Sequence, residues 1–171
     1  MKIYHLAFLL VFTAQLHAQD RRLIQNPVRD IPRWVRLEFE KKMDRDYAIT
    51  YKLYPHVLTG DFNGDGRKDV IIQISEKRTG KAGFAIFHGK KTQALFVNIS
   101  IAGAGTRLGT SDDNLSWVNL WNCIPHEKLS AAGYGMVNRA KGDVLVFSDR
   151  ESRKELLFWD GKKYEWYTPK H

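Results

Sequence analysis

The sequence predicts a mainly β fold with an N-terminal helix (α+β), built as one antiparallel sheet domain. Three observations point there. The 171 residues are 43% hydrophobic and 12% aromatic, the composition of a chain with a packed core. Short aromatic and β-branched runs recur along it, bounded by Gly, Asp and Asn clusters, as strands are bounded by turns. Only Pro32 to Met43 carries a helical pattern of any length.

The elements follow in order. Lys2 precedes a continuous apolar run, Leu6 to Phe12, and Thr13 to Ala18 is more polar and ends in a small residue. That layout predicts a secretory signal peptide over 1–18, cleaved near Ala18. The apolar run is too short to span a bilayer, so no membrane span is expected after signal removal. An N-terminal anchor is the alternative. Residues 19–29 carry charge and Pro27 without apolar periodicity and read as a mobile leader. Asp30 before Ile31-Pro32 suits a helix start, with Asp30 as N-cap and Pro32 in the first turn. Trp34, Val35, Leu37, Phe39 and Met43 follow with amphipathic spacing. Trp34 to Phe39 also reads as a strand; the cap and the lysine-rich end favour the helix.

Tyr47 to Leu58, broken by Pro55, predicts a strand. Val70 to Ile74 and Gly83 to His88 predict a hairpin joined through Gly80, and Gln93 to Ile101 a further strand. Ala102 to Asn114 reads as a glycine-bearing flexible loop. Its glycines are followed by no Gly-Lys-Ser/Thr, which argues against a phosphate loop. Leu115 to Cys123 is apolar and aromatic. Val144 to Phe147, Glu155 to Trp159 and Lys163 to Tyr167 predict the last strands, with Asp160-Gly161 as a hairpin turn. In the final strand Tyr164 and Trp166 share one face, which leaves Tyr167 as the expected exposed ring. Residues 30–171 are thus expected to form a single domain.

The formal charge of +8 is spread over pairs such as Arg21-Arg22, Lys77-Arg78 and Lys162-Lys163. No run reaches the block of like charges that marks a basic tail. With export, this argues against nucleic acid and leaves a protein or glycan of the cell envelope as the expected partner. The expected localisation is periplasmic or extracellular. Cys123 is the only cysteine, so no intrachain disulfide can form.

The chemistry concentrates in Asp61 to Asp69, which reads D-F-N-G-D-G-R-K-D. Asp61, Asn63, Asp65 and Asp69 fall at positions 1, 3, 5 and 9 of this loop, and Gly64 and Gly66 permit a sharp turn. Hard cations take six to eight oxygen ligands, and such spacing wraps one. Position 7, Arg67, can add its backbone carbonyl, which needs no particular side chain. Position 12 is Ile72, where an EF-hand needs a bidentate glutamate, so an EF-hand is excluded. The competing reading is an Asp/Asn/Gly turn without an ion.

Leu58 to Ile74 (LTGDFNGDGRKDVIIQI) resembles the FG-GAP/VCBS-type repeat, in which a D-x-[DN]-x-D-G-x-x-D loop binds calcium between two strands of a blade. The resemblance covers one short stretch and occurs once. It implies a structural Ca²⁺ held by Asp61, Asn63, Asp65 and Asp69 with the Arg67 carbonyl. Affinity on the order of 10⁻⁴ to 10⁻³ M, that of extracellular modules, is expected. In that family the repeat tiles a β-propeller, and propellers need roughly four to eight blades of about 40 residues. The chain has room for fewer than four, so a partial propeller-blade-like or sandwich domain is expected, not a full propeller. Trp159 to Trp166 (WDGKKYEW) also resembles the closing W-[DN]-G-K-K-[YF]-x-W hairpin of small exported proteins of unknown function, which brings no activity with it.

The sequence carries no G-x-S-x-G, no H-E-x-x-H and no paired cysteines. The expected function is therefore an exported, non-enzymatic binding or interaction module stabilised by Ca²⁺. The alternative is a hydrolase acting on a cell-envelope polymer, with Asp112 and Asp113 as carboxylates on the flexible loop. Asp112, Asp113 and Tyr167 are the residues expected to meet a partner.

Overall fold

The structure, a computed structural model, describes residues 27–89, 97–109, 112–131 and 138–169. The expected signal peptide, the leader before residue 27 and the first part of the Gln93–Ile101 strand lie outside the described residues. The chain divides into two compact units, Met1–Asp30 and Ile31–His171. In the first, Pro27–Asp30 forms a single helical turn, α1.

The second unit is mainly β: two antiparallel sheets and one helix, with no closed barrel among the described residues. Helix α2 (Arg33–Lys42) begins after Pro32, and no side chain caps it. The Asp30 cap is thus corrected: Asp30 lies inside α1, and Pro32 offers only its carbonyl, to the amides of Val35 and Arg36. Val35 and Phe39, one turn apart, form the buried face of α2.

The first sheet contains β1 (Tyr47–Thr50), β2 (Val57–Gly60), β3 (Asp69–Glu76), β4 (Ala82–Phe87) and β5 (Ile99–Gly103). Its order is β1-β3-β4-β5, and β2 also pairs with β3. The strand expected over Tyr47 to Leu58 is therefore two strands on one side of β3. Between them the chain leaves the ladder, and the buried Gln73 side chain takes its place. Gln73 accepts from the Leu53 amide at 2.7 Å and donates to the Leu53 carbonyl at 3.0 Å. That pairing is why a polar residue is tolerated in the apolar run of β3. The second sheet is β6 (Leu120–Ile124), β7 (Val144–Ser148), β8 (Lys154–Trp159) and β9 (Tyr164–Tyr167), paired in that order. A short 3₁₀ turn, His126–Lys128, follows β6.

Period-2 alternation assigns each strand's side chains to two layers. Ile71, Phe84, Ile86, Leu145, Phe147, Leu157 and Tyr164 meet between the sheets. Val70, Ile72, Ile74, Ala85 and Phe87 face the other way, against α2. Val144, Val146, Leu156 and Phe158 pack on the outer face of the second sheet with Leu129 and Ala140. Because β3 and β4 are covered on both faces, they read as continuous apolar runs rather than alternating ones. As the alternation predicts, Tyr164 and Trp166 point into the inter-sheet layer. Tyr167, expected to be exposed, is half-buried against the outer cluster.

Phe62, the second residue of the Asp61–Asp69 loop, is fully buried in the inter-sheet core. Phe62→Ala is expected to cost about 3–5 kcal/mol, the range for a buried phenylalanine. Leu37→Ala, at a position 53% exposed, is expected to stay within about 0.5 kcal/mol. Urea unfolding midpoints of the two variants test the contrast.

Candidate functional site

The loop between β2 and β3 is held by its own carboxylates. Asp61 accepts from the Asp65 amide at 3.0 Å through Oδ1 and from the Gly66 amide at 2.8 Å through Oδ2. Asn63 Oδ1 reaches the same Asp65 amide at 3.1 Å, so oxygens of Asp61 and Asn63 converge on one point inside the turn. Asp65 Oδ1 accepts from the Arg67 amide at 3.0 Å, and Oδ2 pairs with the Arg67 guanidinium at 2.9 Å. Gly64 and Gly66 both adopt positive φ, 71° and 80°. At Gly64 space is limiting as well: a Cβ there would come 2.0 Å from the Lys141 carbonyl.

Asp69 plays a different part. It is fully buried at the start of β3 and accepts from the Phe62 amide at 2.9 Å and the Gly89 amide at 2.7 Å. The Nδ1 of His88 lies 3.3 Å from Asp69, and the Nε2 of His88 lies 3.3 Å from the Ser100 hydroxyl. The His88 ring stacks on Tyr164 at a centroid distance of 5.9 Å. The Tyr164 hydroxyl is buried and has no hydrogen-bond partner among the described residues. Burial first, then the charges of Asp69 and Asp61, hold that phenol protonated far above its ordinary range.

The loop is also stitched to the second sheet. Asp61 donates its amide to Asp143 Oδ2 at 2.9 Å, and the Asp143 amide donates to the Asp61 carbonyl at 2.7 Å. The other Asp143 oxygen accepts from the His126 amide at 2.9 Å. Asp143 immediately precedes β7, so one carboxylate ties the loop of the first sheet to the second.

Of the five positions expected to hold a metal, Asp61, Asn63 and Asp65 gather within the turn and Arg67 sits beside them. Asp69 closes the base of the loop from inside the core. Among the described residues no group of three or more His, Cys, Asp or Glu side chains is placed to hold a metal ion. The side-chain oxygens engage loop amides instead.

Asp112 and Asp113 do not meet a histidine. Asp112 pairs with Arg153 at 2.8 Å, and Arg153 lies 3.8 Å over the Trp117 ring. Asp113 pairs with Lys81 at 2.6 Å, and that hydrogen bond holds its carboxyl below the usual range. Both carboxylates are therefore tied down by ion pairs. Cys123 is half-buried, and burial, then the charges of Asp143 and Glu127, push its thiol up to about 12, which leaves it a poor nucleophile. Sequence reasoning considered His88 as a possible base but missed its partners, and it missed Asp143 and Ser100, since neither carries a motif.

Asp69→Ala would strand the Phe62 and Gly89 amides, each an unmet donor costing about 1–3 kcal/mol. A loss of about 3 kcal/mol in urea unfolding is expected, with Asp69→Asn milder because one carbonyl oxygen still accepts. An unchanged midpoint for the alanine variant would refute the role. Comparison of the chain with family models, with curated proteins and with solved structures finds no match.

Proposed function

We propose that this chain is an exported, non-enzymatic binding module of the cell envelope whose Asp61–Asp69 loop takes a structural Ca²⁺. The reading rests on one observation above all: side-chain oxygens of Asp61 and Asn63 point at a single amide, with Asp65 next to them. All the donors are hard oxygens, as Ca²⁺ prefers. The residues that would hold the ion are Asp61, Asn63 and Asp65 by side chain and Arg67 by carbonyl, with Asp69 below them; their side-chain oxygens now accept from backbone amides and would turn to the ion. Ca²⁺ would supply positive charge where three carboxylates crowd one turn. Asp143 would carry the resulting stiffness into the second sheet. The resemblance to FG-GAP/VCBS loops and the signal-like N-terminus belong to the same reading, and among the described residues no helix is long and apolar enough to cross a membrane.

With a dissociation constant near 10⁻³ M, about 10 mM Ca²⁺ should add about 1.4 kcal/mol to the folded state. For a domain of this size that raises the melting temperature by about 3–6 °C. Asp61→Ala is expected to abolish the rise. A melting curve unmoved by calcium, together with no heat in a calorimetric titration, would remove the ion from the proposal.

One arrangement favours the hydrolase reading on different residues from those first expected. Asp69, His88 and Ser100 line up in the order of an acid, a base and a hydroxyl nucleophile. The two readings compete for Asp69, whose oxygens already serve two backbone amides. We expect a fluorophosphonate probe to leave Ser100 unlabelled. Labelling that disappears in Ser100→Ala would transfer the argument to the hydrolase.

A further inference from the structure

From the cavity between α2 and the descending arm of the loop, we infer a binding site for an anionic saccharide; the inference rests on the binding-module reading and names its ligand. The cavity is about 470 Å³, within the roughly 300–1,000 Å³ of small-molecule sites, and it is lined by Trp34, Glu38, Arg67, Lys68 and Gly89. Trp34 and Glu38 stand one helical turn apart, so both project from one side of α2. Trp34 is half-buried, and its ring lies nearly perpendicular to that of Phe87, with centroids 6.4 Å apart. That contact fixes the indole as a wall of the cavity. Opposite it, Arg67 and Lys68 bring two cations into the lining. Gly89 makes the close approach of this wall feasible: a Cβ there would lie 2.6 Å from the Lys68 carbonyl and 3.0 Å from Arg67 Cβ.

Each lining group selects a different part of the ligand. An indole face covers the C–H face of a sugar ring, burying apolar surface without asking for hydrogen bonds. Lys68, exposed and without an ion pair among the described residues, supplies the main charge for a carboxylate or phosphate, and Arg67, whose Nη1 is paired with Asp65 at 2.9 Å, adds the remaining edge of its guanidinium. The Glu38 carboxylate, which pairs with Lys42 at 3.3 Å, would also accept from ring hydroxyls, a contact that a bare inorganic anion would not seek. Uronic acids and sugar phosphates share this chemistry. Arg67 and Lys68 belong to the same loop as the proposed ion, and the cavity lies on the outer side of that loop.

Ligand-observed NMR titration of the full chain tests the site, with glucuronic acid, glucose 6-phosphate, glucose and inorganic phosphate as probes. Each titration is run with calcium and with chelator. Either or both charged sugars are expected to bind at least about tenfold more tightly than glucose or phosphate, and the preferred one identifies the anionic group. Lys68→Glu, an exposed change that leaves the core untouched, is expected to weaken that binding by about tenfold or more. Trp34→Ala should weaken all sugars alike; if it fails to fold, Lys68→Glu carries the test alone. Equal binding of glucose, equal binding of phosphate, or an unaffected Lys68→Glu variant would each overturn the site. Charged sugars that bind under both conditions while calcium leaves the melting temperature unmoved would remove only the ion. A calcium-dependent melting shift without sugar binding would remove only the saccharide.

Discussion

A single buried carboxylate organises the region where chemistry is concentrated. Asp69 gives one oxygen to the Phe62 amide and the other to the Gly89 amide, joining the start of the loop to the end of β4. A carboxyl group inside a protein is tolerated only where its oxygens find hydrogen-bond partners, and these two amides with His88 provide them. Everything above this point in the loop inherits its position from that anchor. Phe62 can enter the inter-sheet core because its amide is held, and Arg67 and Lys68 are aimed outward because Asp69 is aimed inward.

The two sheets share an apolar interface, and directional bonds between them come from Asp143 and from the Trp121 indole, which donates to the Pro55 carbonyl at 2.8 Å. Hydrophobic contact is non-directional and fixes separation better than register. The reciprocal bonds between Asp61 and Asp143 add the direction, linking the β2–β3 loop to the entry of β7. Gly64 and Gly142 let the two backbones approach this closely. A cation in the turn would thus act on the joint between the sheets rather than on one hairpin. That makes global stability, rather than local order alone, the natural readout of the metal.

Much of the fold was legible because its periodicities are strong. The β3–β4 hairpin and the Tyr164/Trp166 face follow from spacing, whereas the spacing over Trp34 to Phe39 fits a helix or a strand and the lysine-rich end tips it to α2. The misses have physical causes. Asp30 has the chemistry of a cap, but its backbone is already spent in α1, and the chain enters α2 through Pro32. The stretch from Tyr47 to Leu58 divides around Pro55, the break its sequence carries, and the Gln73 side chain substitutes there for backbone partners, which no local propensity encodes. Tyr167 looked solvent-facing because its strand alternates correctly, yet the second sheet is covered on both faces. At the loop, the spacing of oxygen-bearing residues was plain in the sequence. The partners that position them were not: Asp143 and Gly89 are brought there only by tertiary structure.

The detour around Gln73 bears on self-association. Open sheet edges expose rows of unpaired amides and carbonyls that invite a neighbouring chain to add a strand. On the β1–β2 side of the first sheet the edge is broken into two four-residue pieces, with the intervening backbone satisfied from within by an amide side chain. A docking strand would find at most a few consecutive partners before the ladder ended. The same glutamine that breaks the apolar run of β3, together with Pro55 in the detour, therefore blunts the border of the sheet against fibril-like stacking.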